Sequence, residues 1–191
     1  MRVGLFFGSF NPVHMGHMVL ANYMLEFTDL ERIWFVVTPH NPHKKKTSLL
    51  DERQRLHMVN LAIGDNDRLA ASDIEFKLPQ PSYTVDTLAY LQDKYPQHEF
   101  ALMMGEDNLK SLPKWKNYEV ILKNHHIYVY PRPGVNSEAL RNHDKITFTD
   151  APFVEVSSTQ IRKAVKAKKD MRYFMPLSAW NYLMEMHFYE Q

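Results

Sequence analysis

The chain has 191 residues, 45% hydrophobic and 24% charged, a size and balance that suit one compact domain over residues 1–191 and exclude a disordered chain. Lys and Arg number 23 against 22 Asp and Glu, a formal charge of +1, so no global basic field favours nucleic acid or an anionic membrane, and any anion must be captured locally. Zero Cys excludes disulfides, thiolate metal sites and a Cys nucleophile. No purely apolar run is longer than that over 33–37, far short of the roughly 20 residues that span a bilayer. No long apolar stretch precedes Gly8 and Ser9, so neither signal peptide nor membrane anchor is expected, and a cytoplasmic protein is the plain reading.

Residues 2–7 are a short apolar run ended by Gly8-Ser9-Phe10-Asn11-Pro12, and over 16–27 the residues Leu20, Tyr23, Met24 and Phe27 recur at helical spacing, which predicts strand, loop, helix. Residues 33–37 read as a strand buried on both faces, stopped by Thr38-Pro39. A basic and polar loop spans 40–47, and 50–63 reads as a helix with Asp51 and Glu52 at its N-terminal end. The alternation continues: 69–77 extended, 85–95 helical, 100–104 a strand, 118–123 a short helix, 127–130 a strand. A last short strand is expected at 153–156, then helices over about 158–167 and 177–187. This rhythm is that of a parallel α/β sheet, whose ligands sit outside the carboxyl ends of the strands.

The six glycines stand at 4, 8, 16, 64, 105 and 134. No pair is spaced Gly-x-Gly and no P-loop string occurs, so any nucleotide is bound by another device. His14 and His17, three apart around Gly16, open a predicted helix whose free N–H groups favour an anion. Together they make a phosphate clamp. A zinc pair or two ordinary surface histidines are the competing readings; a metal site wants a third ligand, and His40 and His43 keep that option open. Asn41-Pro42-His43-Lys44-Lys45-Lys46 clusters positive charge on a loop that could fold over bound phosphates, although a three-lysine run taken alone is more often solvated surface. At Val156-Ser157-Ser158-Thr159-Gln160-Ile161-Arg162, two hydroxyls at a helix start can cap it and donate to phosphate oxygens, and Arg162 aims a forked cation at the same end.

The string Gly8-Ser9-Phe10-Asn11-Pro12 with His14-Met15-Gly16-His17 resembles the signature of the His-x-Gly-His nucleotidyltransferases. Residues 156–162 resemble their Ile-Ser-Ser-Thr-x-Ile-Arg motif, with Val156 in the first place. Ser82-Tyr83-Thr84-Val85-Asp86-Thr87-Leu88, Gly105-Glu106-Asp107, Leu112-Pro113-Lys114-Trp115 and Arg132-Pro133-Gly134 resemble segments of the bacterial nicotinate-nucleotide adenylyltransferases. The resemblance implies a Rossmann-like open, mostly parallel sheet with helices on both faces and a small C-terminal helical part over about 157–191. It also implies adenylyl transfer from ATP to nicotinate mononucleotide, giving deamido-NAD and pyrophosphate.

On the same resemblance, His14, His17, Lys44 and Arg162 are the expected catalytic residues. Gly8, Ser9, Phe10, Gly16, Gly105, Asp107, Ser158 and Thr159 are expected at ATP, and Asn41, Tyr83, Thr84, Trp115 and Arg132 at the nicotinate nucleotide. Mg²⁺ is expected to enter with ATP, held by phosphate oxygens and water, since no dedicated carboxylate cage is visible. Nicotinamide mononucleotide or another phosphate acceptor is the alternative substrate, and a non-catalytic nucleotide-binding regulator is the second alternative. A nucleic-acid partner fits the balanced charge poorly, and a homo-oligomer is left open.

Overall fold

The computed structural model describes residues 1–39, 49–135 and 140–190. Six strands, β1 (Arg2–Gly8), β2 (Arg32–Val37), β3 (Leu69–Ser72), β4 (Glu99–Gly105), β5 (Ile127–Tyr130) and β6 (Ile146–Phe148), form one sheet in the order β3-β2-β1-β4-β5-β6. Every neighbouring pair is parallel. The helices are α1 (Met15–Phe27), α2 (Glu52–Ile63), α3 (Thr84–Lys94), α4 (Glu106–Ser111), α5 (Tyr118–Asn124), α6 (Ser158–Lys166) and α7 (Leu177–Glu185).

The two-residue period of the strands sends side chains to alternate faces, and each face has its own buried cluster. Phe6, Phe35, Ala101, Met103 and Tyr128 join Leu20 and Met24 of α1, Met58 of α2, Ile161 of α6 and Leu183 of α7. Val3, Leu5, Phe100, Leu102 and Val129 join Leu88 and Leu91 of α3, Leu109 of α4 and Ile121 of α5. Each large apolar side chain so enclosed contributes on the order of 1.5–3 kcal/mol. Helices thus cover both faces, and α6 and α7 share the cluster under α1 and α2. No helix among the described residues is long and apolar enough to cross a membrane.

Local chemistry sets the element ends. Asp51 caps α2 by accepting from the Arg53 N–H at 2.9 Å, and the helix stops at Gly64, whose φ of 63° is easily adopted only without a Cβ. On α1, Leu20 and Met24 are buried as the spacing predicts, whereas Phe27 is exposed and stacks on Tyr23.

Two expectations are corrected. The last strand is Ile146–Phe148, not 153–156, which is irregular chain with an exposed Phe153. Of 69–77 only the first four residues are strand; Ile74–Lys77 is a 3₁₀ turn. Helix α4, short and carrying only two buried residues, was not expected.

Candidate active site

Strand order reverses between β1 and β4, and in open α/β sheets the crevice at that switch point takes the ligand. A cleft of ≈ 310 Å³ opens there, lined by Ser9 after β1, by His14, Gly16 and His17 at the start of α1, by Arg132 after β5, and by Ser157, Ser158, Thr159 and Arg162 of α6 and its cap. Its described lining contains no carboxylate.

The loop after β1 is shaped by packing. Phe10 is buried in a left-handed conformation, φ 43°, uncommon for a bulky residue and sustained here by its surroundings. Its ring lies over Gly8, where a Cβ would come within 2.8 Å of it, and meets the His17 ring edge-on at 5.0 Å. Gly8 and Phe10 therefore shape the cleft without lining it.

The two imidazoles stack, with centroids 3.7 Å apart and planes inclined by 26°. The His14 N–H donates to Nδ1 of His17 at 3.1 Å, which fixes Nε2 as the donor of a neutral His17 ring. His14 is 7% exposed and its Nδ1 has no hydrogen-bond partner among the described residues. Burial, reinforced by the positive charge of Arg132, holds its pKa down at about 4, so the ring is neutral at physiological pH. A neutral stacked pair beside two arginines avoids self-repulsion until an anion arrives.

Helix α6 is fastened to the first loop. Ser158 donates to the Pro12 carbonyl at 2.8 Å, and Arg162 donates through Nη1 to the Asn11 carbonyl at 2.7 Å and through Nη2 to the Thr159 hydroxyl at 3.2 Å. Ser157 caps the helix by accepting from the Gln160 N–H, so α6 presents hydroxyls and its free N–H groups toward the histidines.

Arg132 lies 3.5 Å from the Asp107 carboxylate and over the Tyr130 ring, 5.2 Å from its centroid. Gly105 gives these groups room: a Cβ there would collide with the Asp107 carboxylate and sit 2.9 Å from Nε of Arg132. Arg132, expected at the nicotinate nucleotide, thus lines the same cleft as the histidines, with Asp107 at its edge.

Tyr83, Thr84 and Trp115 are not among the residues lining that cleft. Tyr83 caps the N-terminus of α3, and Lys116 lies 4.6 Å over its ring while pairing with Asp86 at 2.9 Å. Trp115, next in sequence to Lys116, donates from its indole to the Ser111 hydroxyl at 3.3 Å. Asn41 and Lys44, like His40 and His43, lie outside the described residues. No group of three or more His, Asp or Glu side chains among the described residues is gathered as a metal cage.

Arg55 was not anticipated. Fully buried, it donates to the carbonyls of Leu50 at 2.8 Å, Ser9 at 2.6 Å, Thr38 at 2.8 Å and Pro39 at 2.9 Å. It therefore joins the loops after β1 and β2 to the start of α2. The available signal was a charged residue at position 55, three and four places before the apolar Met58 and Val59, on the buried stripe of the helix. Asn11 also lines the cleft, although it stood in the recognised string without a role.

The profile of the cytidylyltransferase-like family matches residues 5–164. Over 193 aligned residues, covering 100% of both chains, the sequence is 57% identical to a "Probable nicotinate-nucleotide adenylyltransferase" of Flavobacterium psychrophilum. It is 50% identical over 189 residues to one of the same name from Cytophaga hutchinsonii, covering 99% of this chain and 98% of the other. The fold is also that of the Plasmodium falciparum nicotinic acid mononucleotide adenylyltransferase complexed with NaAD, with a TM-score of 0.82 at 16% identity, covering 99% of this chain and 97% of that one. The chain belongs to the cytidylyltransferase-like family, as a nucleotidyltransferase, and within it to the nicotinate-nucleotide adenylyltransferases.

Proposed function

We propose that the protein transfers the adenylyl group of ATP to nicotinate mononucleotide, forming deamido-NAD and pyrophosphate. The observation that carries this is the cleft itself: two stacked imidazoles, two arginines and the N-terminal hydroxyls of α6 converge on one hollow whose described lining holds no carboxylate. Such a lining suits a triphosphate together with the phosphate that attacks it.

The chemistry asks little else of the protein. The attacking phosphate of the mononucleotide has a second pKa near 6 and is mostly dianionic at neutral pH, so no general base is needed. Its oxygen bonds to the α-phosphorus as the bridge to the β-phosphorus breaks, and the electron pair leaves on pyrophosphate. The barrier lies in aligning two polyanions and neutralising the charge on the departing group. His17, with Nε2 as donor, serves the α-phosphate. His14, neutral in the empty site, gains proton affinity as phosphate charge enters. Ser158, Thr159 and Arg162 hold the β and γ end together with Lys44, and Ser9, Gly16 and Asp107 complete the ATP site. Mg²⁺ arrives with ATP as part of the substrate, on phosphate oxygens and water.

The nicotinate end is assigned to Tyr83, Thr84 and Trp115, with Asn41 and Arg132 reaching the mononucleotide. Trp115 stacks on the pyridine ring, and N–H groups at the start of α3 meet the substrate carboxylate. A carboxylate only accepts, whereas an amide also donates, so a set of N–H groups prefers the acid. A cytoplasmic setting, where ATP is at hand, is part of the same reading.

Pyrophosphate release from ATP, followed in parallel with nicotinate and nicotinamide mononucleotide, tests the assignment. Faster turnover of the acid is expected. Preference for the amide would replace the substrate, and ATP binding without pyrophosphate for either acceptor would leave a binding protein.

A further inference from the structure

The chain leaves α7 through His187 and Tyr189, both left-handed at φ 54° and 65°, and these turn the final residues back toward the first loop. Backbone bonds from His187 to Met184 at 3.2 Å and from Phe188 to Leu183 at 3.1 Å hold that turn, and the Phe188 ring packs edge-on against Tyr182. The Tyr189 hydroxyl reaches Oδ1 of Asn11 at 2.5 Å, across 178 positions of sequence.

Asn11 is a junction. Its Oδ1 accepts from Tyr189 and from the Leu50 N–H at 3.2 Å, and its carbonyl accepts from Arg162 at 2.7 Å. Both Asn11 and Arg162 line the cleft, whereas Tyr189 does not. The phenol lies within electrostatic reach of Arg162 and Arg55, yet burial raises its pKa, so it stays protonated as a donor.

We propose that Tyr189 is a positioning residue for adenylyl transfer, its hydroxyl fixing the Asn11 side chain and thereby the carbonyl on which Arg162 is seated. The inference rests on the function proposed above and deepens it. Removing this hydrogen bond allows Arg162 to sample orientations that do not meet the phosphates.

The test is a double-mutant cycle on the full chain with Tyr189→Phe and Arg162→Ala, read as kcat/KM for ATP and KM for nicotinate mononucleotide. Tyr189→Phe should lower kcat/KM for ATP about three- to tenfold and leave KM for the mononucleotide within about twofold. In the Arg162→Ala background the same change should have an effect of less than about twofold, because the group it acts through is gone. An unaltered kcat/KM for ATP in Tyr189→Phe, or a loss of equal size in both backgrounds, overturns the proposal; the second result is what a purely structural role produces. Tyr189→Leu, which also lacks the hydroxyl, takes its place if the Phe variant does not fold. If the wild-type chain shows no turnover, the adenylyl-transfer reading fails separately, and the same cycle read as Kd for ATP still decides the role of Tyr189.

Discussion

Gly16 faces the His14 ring so closely that a Cβ at this position would lie 3.1 Å from both Cε1 and Nδ1. Gly is disfavoured within helices, and its place in the first turn of α1 follows from the imidazole it accommodates. Gly16→Ala should therefore displace His14 and lower kcat by about tenfold or more, since small misplacements of positioning groups are costly. Turnover with pyrophosphate detection, alongside a thermal melt, checks it. A loss of rate without loss of stability is expected.

The pKa of His14 near 4, against an ordinary value of 6.5, gives stability a pH dependence of known sign. Between these values the unfolded chain binds the proton and the folded one does not, so unfolding free energy rises with pH across that window and levels off above 6.5. The folded state should thus lose up to roughly 3 kcal/mol on acidification from pH 6.5 to 4 through this residue. Urea titrations at several pH values should show a shallower slope in His14→Gln. An unchanged slope would assign the acid sensitivity to other groups.

Removing Arg55 should be among the most damaging single changes. Four carbonyls lose their donor, and the side-chain volume is lost from a fully buried position. Arg55→Ala should cost about 3–5 kcal/mol and reduce ATP binding, because the Ser9 carbonyl it holds adjoins the cleft. Chemical denaturation and calorimetric titration with ATP measure the two effects.

Trp115 tests the nicotinate end. Trp115→Ala should raise KM for nicotinate mononucleotide about fivefold or more while shifting KM for ATP by less than about threefold, because stacking of this kind contributes about 1–3 kcal/mol. Equal increases for both substrates would remove the stacking role.

Most of the sheet was legible because β1, β2, β4 and β5 are apolar runs ended by Gly, Pro or polar residues, and the helices over α1, α2 and α3 keep their periodicity. The edge strand was not. In β6 only Ile146 is buried, and its three residues carry no pattern longer than one alternation, while the more apolar 153–156 supplies Val154 and Val156 to the cleft wall instead. Likewise the loop after β1 and the start of α6 could be paired as phosphate-binding strings, since residue types alone carry that chemistry. The supports behind them were hidden. Arg55 and Tyr189 act through carbonyls and an amide brought near by the fold, and no local spacing encodes such partners.

The bonds from Ser158 to Pro12 and from Arg162 to Asn11 bridge 146 and 151 positions. During translation, at about 5–20 residues per second, the second half of this grip emerges on the order of ten seconds after the first. Until then the early histidines and Arg132 stand without the hydroxyls and the second arginine that complete the cleft, so the growing polypeptide gains its full phosphate lining only after α6 leaves the ribosome.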